Sequence, residues 1–344
     1  MSPIRGNLAL DGWESQLALP GLDDATEWTW AEEEELSFVE YSHVTVLRNE
    51  VVSSLAKAID DGDALVVDAT LGGGGHAEAV LERFPNARVL GFDRDLAAID
   101  AASERLAKFG ARFQAIHAPF ADAKDELARL GIEAVTALYA DLGVSSPQLD
   151  DPARGMSFRH EGPLDMRMDR TRGETATELI ARLDDDSLAN VIFELGEERR
   201  SRRIARSIKR AQGAGELRTT TDLRRAIVRA VGPVRVGGVD PATRTFQALR
   251  LAVNGELDEL DRLLELAPSL VLPGGAAAFI SFHSLEDRRV KRAFAHRDVW
   301  APITKKPILA SDPELEQNPR ARSAKLRAAI RAVEPGPEST EEVE

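Results

Sequence analysis

The chain has 344 residues, with 44 basic and 58 acidic side chains, a formal net charge of −14 and no cysteine. This length allows one large domain or two smaller ones, and the lack of cysteine excludes disulfide bonds and thiolate metal sites. No apolar run is long enough to span a bilayer and no secretory signal sequence opens the chain, so we expect a cytoplasmic protein with no membrane partner.

The negative charge is concentrated at the two ends. Residues 1–40 contain ten acidic and one basic side chains, a net charge of −9, and residues 331–344 contain five acidic and one basic, a net charge of −4. The body, residues 41–330, is therefore nearly neutral at −1. Acidic segments of this kind do not bury enough apolar surface to fold, so we expect both ends to be disordered.

The first predicted strand leads into a glycine run. Residues 64–70 are mostly apolar or β-branched and predict a buried strand, and four glycines (residues 72–75) and His76 follow it. Residues 77–84 then have helical spacing of apolar positions. A strand, a glycine loop and a helix form the general plan for holding a nucleotide-like group at a helix N-terminus. The loop predicts a nucleotide-type cofactor without identifying it.

Two details of this region favour S-adenosylmethionine over NAD. The dinucleotide fingerprint requires a glycine three residues beyond Gly75, where Glu78 stands, and no Lys-Ser or Lys-Thr follows as in a phosphate-binding loop. An acidic residue closing the first strand, here Asp68, is typical of methyltransferases.

The second predicted strand, residues 88–93, ends in a carboxylate. An acidic side chain at this place can accept hydrogen bonds from ribose hydroxyls, so we assign Asp93 to the ribose of either cofactor. Asp95, two residues further on, is interpreted as an ordinary solvated loop residue. A third strand is predicted at residues 113–117, shortly before Phe120.

The fourth predicted strand, residues 134–140, precedes Asp141 and a short polar loop. Amino-group methyltransferases carry a polar-Pro-Pro-aromatic loop at this place. Ser146 and Pro147 match its first two positions, whereas Gln148 replaces the second proline, so the match is partial. These features make Ser146 and Pro147 the candidates for positioning a substrate amino group.

The next predicted strand, residues 276–282, lies more than a hundred residues beyond Asp141. Because a crossover between neighbouring parallel strands needs only one helix, we predict an insertion there. Its apolar spacing predicts a helix behind Ser187 as N-cap, a second helix around residues 223–231 and one long helix through residues 246–264.

The insertion carries most of the clustered positive charge. Seven of the twelve residues from Arg199 to Arg210 are Arg or Lys, a density that favours contact with a phosphate backbone. The candidate residues for this contact are Arg199, Arg202, Arg203 and Arg206.

Four long segments then occur in order: residues 141–150, residues 162–169, residues 241–250 with Val253-Asn254, and residues 281–289. Together they closely resemble the MraW family of ribosomal RNA small-subunit methyltransferases, over roughly residues 41–330. The resemblance implies S-adenosylmethionine-dependent N4-methylation of a decoding-centre cytidine in 16S rRNA of the small ribosomal subunit. It also implies an α/β fold: a class I methyltransferase core, a Rossmann-like doubly wound sheet, with an inserted helical domain.

The resemblance also implies a division of the chain and a cofactor site. The core comprises residues 41–152 and 251–330, and residues 153–250 form a mainly helical, RNA-facing insert. No metal is expected, and the oligomeric state is not predicted. An NAD-linked oxidoreductase and a non-catalytic ribosome-binding protein stay open as alternatives. The cofactor-binding residues implied by the family are Gly74, Gly75, His76, Asp93, Phe120, Asp141 and Gln148.

Overall fold

The structure, a computed structural model, describes residues 45–59, 62–234 and 239–333. The acidic N-terminal segment and residues 334–344 of the acidic tail, both expected to be disordered, lie outside the described residues.

Seven strands of the described chain form one sheet in the order β3-β2-β1-β4-β5-β7-β6. The first five strands pair in parallel, whereas β7 is antiparallel to both β5 and β6. The mostly parallel sheet confirms the predicted α/β class, and β6 and β7 are additions to the predicted strands. The strands are β1 (Ala64–Asp68), β2 (Ala87–Asp93), β3 (Phe113–His117), β4 (Val135–Asp141), β5 (Val271–Ser281), β6 (Trp300–Pro302) and β7 (Lys325–Arg331).

Helices connect the parallel strands and fill the long segment between β4 and β5. The helices are α1 (Arg48–Leu55), α2 (Gly75–Arg83), α3 (Leu96–Leu106), α4 (Ala123–Arg129), α5 (Ser146–Asp150), α6 (Ala176–Arg182), α7 (Asp185–Gly196), α8 (Ser201–Gly213), α9 (Thr220–Val231), α10 (Thr243–Asn254), α11 (Glu256–Leu270), α12 (Ser284–Ala293) and α13 (Asp312–Gln317).

Strand β1 lies at the point where the strand order reverses. Every residue of β1 is buried, as expected for a parallel strand covered on both faces. It pairs with β2 on one side and with β4 on the other. The strands that follow β1 in the chain therefore extend the sheet first on one side, through β2 and β3, and then on the other, through β4 and β5. A crevice opens at the carboxyl ends of strands at such a switch point. Asp68, Asp93 and Asp141 end the three strands that meet there.

Helices α6 to α10 pack around an apolar core of their own. Ile192 of α7, Ile204 of α8, Ile227 of α9 and Leu249 of α10 are among its fully buried residues. The predicted N-cap of α7 was wrong. The Asp184 side chain, not that of Ser187, caps this helix by accepting a hydrogen bond from the Ser187 backbone N–H at 2.7 Å.

The single long helix predicted through residues 246–264 was also wrong. The chain forms α10 and α11 instead, separated by Gly255 in the left-handed conformation (φ 61°), which ends α10. Apolar periodicity continues across the break because both helices bury a face. Asn254, the last residue of α10, is bonded to the preceding loop: its Nδ2 donates to the Met166 carbonyl and its Oδ1 accepts from the Met168 N–H, each at 2.8 Å.

Candidate functional site

A cavity of about 610 Å³ lies at the carboxyl ends of the central strands. Its wall contains most of the residues that the sequence assigned to cofactor and substrate. Gly74 does not line the cavity, and instead forms the N-terminal cap position of α2. The assigned residues in the wall are Gly75, His76, Asp93, Phe120, Asp141, Ser146, Pro147 and Gln148.

The glycine loop brings bare backbone into this cavity at the start of α2. Gly74 has φ 77°, which a residue with a side chain rarely adopts, and a Cβ there would lie 3.0 Å from Leu106. A Cβ on Gly75 would collide with the Thr45 Oγ1. The loop therefore needs glycine at both positions, and α2 presents its N-terminal N–H groups towards the cavity end of the sheet.

Asp93 is held by two backbone donors. Its Oδ2 accepts from the Gly72 N–H and its Oδ1 from the Asp95 N–H, each at 2.8 Å. Each carboxylate oxygen has capacity for a further donor. Burial raises the pKa of Asp93 to about 6, so the side chain is ionised at neutral pH. The geometry accords with two ribose hydroxyls as donors, and this assignment stays a prediction.

His76 and Asp141 face each other across the glycine loop. His76 Nε2 lies 2.9 Å from the Val46 carbonyl oxygen, which can only accept, so Nε2 carries the proton. His76 Nδ1 lies 3.8 Å from Asp141 Oδ2. Asp141 Oδ1 is buried and has no hydrogen-bond partner within the described part of the chain. Buried polar atoms are normally bonded, so a ligand that donates a hydrogen bond is expected here.

Asp68 lies beneath this pair and is fully buried. It accepts hydrogen bonds from the Tyr139 hydroxyl at 2.8 Å and from the Thr70 N–H at 3.0 Å. Burial raises the pKa of Asp68 to about 7. Burial is the main cause that raises the pKa of Asp141 well above its usual range, and the negative charge of nearby Asp68 raises this pKa further. Asp68 thus supports the loop from below and does not line the cavity.

Asp95 is not the solvated residue that the sequence suggested. It is 5% exposed, caps α3 through the Ala97 N–H, and accepts a hydrogen bond from Gln148 Nε2 at 2.8 Å. Arg154 also pairs with this carboxylate and donates to the Met168 carbonyl at 2.8 Å. The signal that sequence reasoning missed was Arg154, because its partner lies 59 residues earlier in the chain.

The cavity continues past the predicted cofactor residues. Its further wall includes Phe158 and Phe246, whose rings meet edge to face at 5.0 Å, and the start of α12 with His283 and Glu286. Sequence reasoning gave none of these four residues a functional role, although segments 241–250 and 281–289, which contain three of them, contributed to the family resemblance.

The four predicted RNA-binding arginines lie outside the cavity, exposed on α8 or just before it. Arg202 forms an ion pair with the exposed Asp186 at 2.8 Å. Arg206 Nε donates a hydrogen bond to the Arg202 carbonyl of the same helix. Arg199 and Arg203 have no carboxylate partner among the described residues. Their role in RNA binding stays a prediction.

Within residues 45–59, 62–234 and 239–333 we find no helix with the length and apolar character needed to cross a membrane. The same residues contain no group of three or more His, Asp or Glu side chains arranged to hold a metal ion, and the expectation of a metal-free site stays a prediction.

Comparison with known proteins shows the family of this chain. Residues 40–332 match the MraW methylase family. The chain is 62% identical over 289 residues, 84% of its length and 90% of the relative's, to Ribosomal RNA small subunit methyltransferase H of Sorangium cellulosum (strain So ce56).

A second relative, of the same name, comes from Synechococcus sp. (strain CC9311). It is 51% identical over 300 residues, covering 86% of this chain and 95% of that protein. Among solved structures, an rRNA methylase from Streptococcus thermophilus aligns with a TM-score of 0.41 at 11% identity, over 85% of this chain and all of that one. The family match and the sheet together confirm the predicted Rossmann-like methyltransferase fold, and the chain belongs to the MraW methylase family.

Proposed function

We propose that this protein transfers a methyl group from S-adenosylmethionine to N4 of a cytidine in the decoding centre of 16S rRNA, in the small ribosomal subunit. The observation that carries the proposal is the 62% identity, over 84% of the chain, to a relative named for methylation of small-subunit ribosomal RNA. The substrate accords with the cytoplasmic location expected from the sequence.

The cavity offers groups that suit this cofactor. Asp93 would accept from the ribose hydroxyls, and Phe120 would lie beside the adenine. The unpartnered Oδ1 of Asp141 would accept from the methionyl ammonium group, and Gln148 would add a polar contact. Gly75 and His76 would hold the amino-acid part, and Gly74, at the cap position of α2, would shape the loop that presents them. When bound, S-adenosylmethionine supplies an electrophilic methyl group on its sulfonium centre.

Ser146 and Pro147 are proposed to orient the substrate amino group. Ser146 is the first residue of α5 and its hydroxyl has no hydrogen-bond partner among the residues that the structure describes. The helix start is fixed by Ser145, which caps α5 and whose N–H donates to Gln148 Oε1 at 3.0 Å. A hydroxyl acceptor there would bind an N4 proton and favour a localised lone pair on that nitrogen. Because alignment dominates an in-line displacement, such positioning is the main task of these residues.

The helical segment, residues 153–250, is proposed to face the RNA. The target base must leave its stack to enter a cavity of this depth, and contacts to flanking phosphates would fix its register. Arg199, Arg202, Arg203 and Arg206 are the proposed phosphate contacts. The Arg202–Asp186 pair is exposed and contributes little stability, so it would exchange readily for a phosphate.

One assay tests the proposal against its two alternatives. Small ribosomal subunits that lack the modification are incubated with the protein and methyl-labelled S-adenosylmethionine, and the digested nucleosides are separated. We expect label in N4-methylcytidine. Binding to subunits without label transfer would instead support a non-catalytic ribosome-binding protein, and an NAD-dependent absorbance change with a small substrate would support an oxidoreductase.

A further inference from the structure

The loops after β4 and β5 meet at the far end of the cavity. These strands are parallel neighbours, and the Leu142 N–H donates to the Ile280 carbonyl at 3.0 Å just where both strands end. A Cβ on Gly143 would lie 3.7 Å from the Phe282 ring. The loop that carries Ser146 is therefore packed against the loop that carries His283, and both residues line the same cavity.

His283 has a defined proton position. It is the N-cap of α12, and its Nδ1 accepts a hydrogen bond from the Glu286 N–H at 3.4 Å. A neutral ring that accepts at Nδ1 carries its proton on Nε2. This Nε2 lies 3.1 Å from Glu286 Oε1, but without the alignment of a hydrogen bond, and it is buried with no hydrogen-bond partner in the described ranges.

Glu286 holds this loop in place. It is 3% exposed, and its Oε2 accepts from the backbone N–H groups of Phe282 at 2.8 Å and of His283 at 3.3 Å. Burial acts to raise the pKa of Glu286, but the contacts with His283 and Phe282 outweigh it and keep the pKa below its usual range. Glu286 therefore stays ionised, accepts hydrogen bonds only, and orients the imidazole beside it.

A buried N–H whose nearest acceptor is poorly aligned is costly, and in a ligand cavity a well-aligned acceptor is expected on the ligand. Cytosine carries two acceptors, N3 and O2, on the edge that also bears its N4 amino group. We propose that His283 Nε2–H donates a hydrogen bond to this acceptor edge of the target cytosine, while Ser146 accepts from N4. This inference rests on the proposed function and adds a base-binding residue to it.

Two substitutions separate this role from helix capping. His283→Asn keeps a good N-cap acceptor close to the position of Nδ1 but removes the donor at Nε2. His283→Gln places an amide N–H near the position of Nε2 but loses the cap. His296→Asn, at an exposed histidine, is the matched control. Each variant is assayed for kcat and KM with unmethylated small subunits, for S-adenosylmethionine affinity by calorimetry, and for Tm.

We expect His283→Asn to lower kcat/KM for subunits about tenfold to hundredfold, with cofactor affinity and Tm close to those of the unsubstituted protein. His283→Gln should be less stable yet retain more activity than His283→Asn, and His296→Asn should change nothing. If His283→Asn is unstable, a folded and active His283→Gln still supports the contact, and a folded but inactive one contradicts it.

The inference is overturned if His283→Asn methylates subunits at the original rate, or if both variants lose cofactor affinity and activity together, which would indicate a structural role only. Failure of the proposed function looks different, because the unsubstituted protein would then transfer no label to subunits at all.

Discussion

The side-chain amide of Gln148 donates a 2.8 Å hydrogen bond to Oδ2 of Asp95, and both residues are buried. The backbone N–H of Asp95 in turn donates to Asp93, and Arg154 pairs with the carboxylate of Asp95. Two residues assigned to the cofactor are thus both bonded to Asp95, Asp93 through the Asp95 backbone N–H and Gln148 through the Asp95 carboxylate. Arg154 ties that carboxylate to the loop leading into the helical segment, so cofactor site and loop share one buried network.

Asp95→Ala should therefore affect both stability and cofactor binding. It leaves Arg154 as a buried, unpaired charge, for which we expect a loss of about 3–5 kcal/mol in the free energy of unfolding. It also frees Gln148, so the affinity for S-adenosylmethionine should fall. The double variant Asp95→Ala/Arg154→Ala should recover part of the stability. Denaturant unfolding and calorimetry measure these effects, and a double variant no more stable than Asp95→Ala would contradict the expected cost of the unpaired Arg154 charge.

Asp93→Ala should abolish binding of S-adenosylmethionine, because it removes the carboxylate at the end of β2 that is proposed to accept from the ribose hydroxyls. Titration calorimetry measures the affinity. Asp100→Ala, at an exposed position of α3, is the matched control and should bind like the unsubstituted protein. Unchanged affinity in Asp93→Ala would remove the ribose assignment.

Asp68 should make stability depend on pH. Burial raises its pKa to about 7 in the folded chain, whereas the unfolded chain keeps the usual 3.8. The folded state therefore keeps this proton up to a higher pH than the unfolded state does. The contribution of Asp68 to stability is fully present below about pH 4 and is lost as pH rises through 7. The total change is on the order of 4 kcal/mol.

Asp68→Asn isolates this effect, since the amide does not titrate. The free energy of unfolding of the unsubstituted protein, minus that of Asp68→Asn, should fall steadily between pH 5 and pH 8 in denaturant titrations. Asp100→Asn provides the control. A difference that stays constant across this range would show that Asp68 titrates normally.

Gly75→Ala should weaken cofactor binding for a steric reason. Its Cβ would collide with the Thr45 Oγ1, so either Thr45 or the glycine loop must shift. Thr45→Ala removes that oxygen, so the double variant should recover affinity in calorimetry. Gly213→Ala is the matched control, because a Cβ there meets nothing within 4 Å. No recovery in the double variant would indicate a different cause.

Charge reversal on α8 tests the RNA surface. Arg199→Glu/Arg203→Glu changes two arginines that have no carboxylate partner in the described chain, and should weaken binding to small subunits by roughly tenfold or more at moderate salt. The salt dependence of binding should also become shallower. Cofactor affinity should not change.

The control for α8 is Arg83→Glu/Arg129→Glu, which reverses two exposed arginines on α2 and α4. Subunit binding is measured over a range of salt concentrations, and methylation is measured in parallel. If the α8 variant binds and methylates subunits as the control does, the phosphate contacts lie elsewhere.

The sequence predicted the central strands well because β1, β2 and β4 are buried on both faces and read as apolar runs. Strands β6 and β7 escaped prediction. β7 mixes basic and apolar residues and pairs antiparallel, and β6 has three residues, too few to show a period. β7 is placed by its pairing with the distant β5, and β6 is placed by its pairing with β7.

The residues of the candidate site also divide into those that local patterns predicted and those that they did not. Local patterns identified Asp93 and the glycine loop because each follows a strand end directly. They misjudged Asp95 and Gly255, whose surroundings depend on Arg154 and on the packing of α10 and α11. His283 was overlooked since its significance lies in an unpartnered N–H, which depends on three-dimensional surroundings and not on residue type.

The pairing of β4 with β5 has a consequence for synthesis of the chain. About 130 residues separate Asp141 from Val271, so at 5–20 residues per second the edge of β4 waits roughly 7–26 seconds for its partner to emerge from the ribosome. An apolar strand with an open edge is an aggregation hazard during such a delay. The helical segment has an apolar core of its own, so we expect it to fold in that interval. We therefore expect the nascent chain, stalled after β4, to be its most aggregation-prone state.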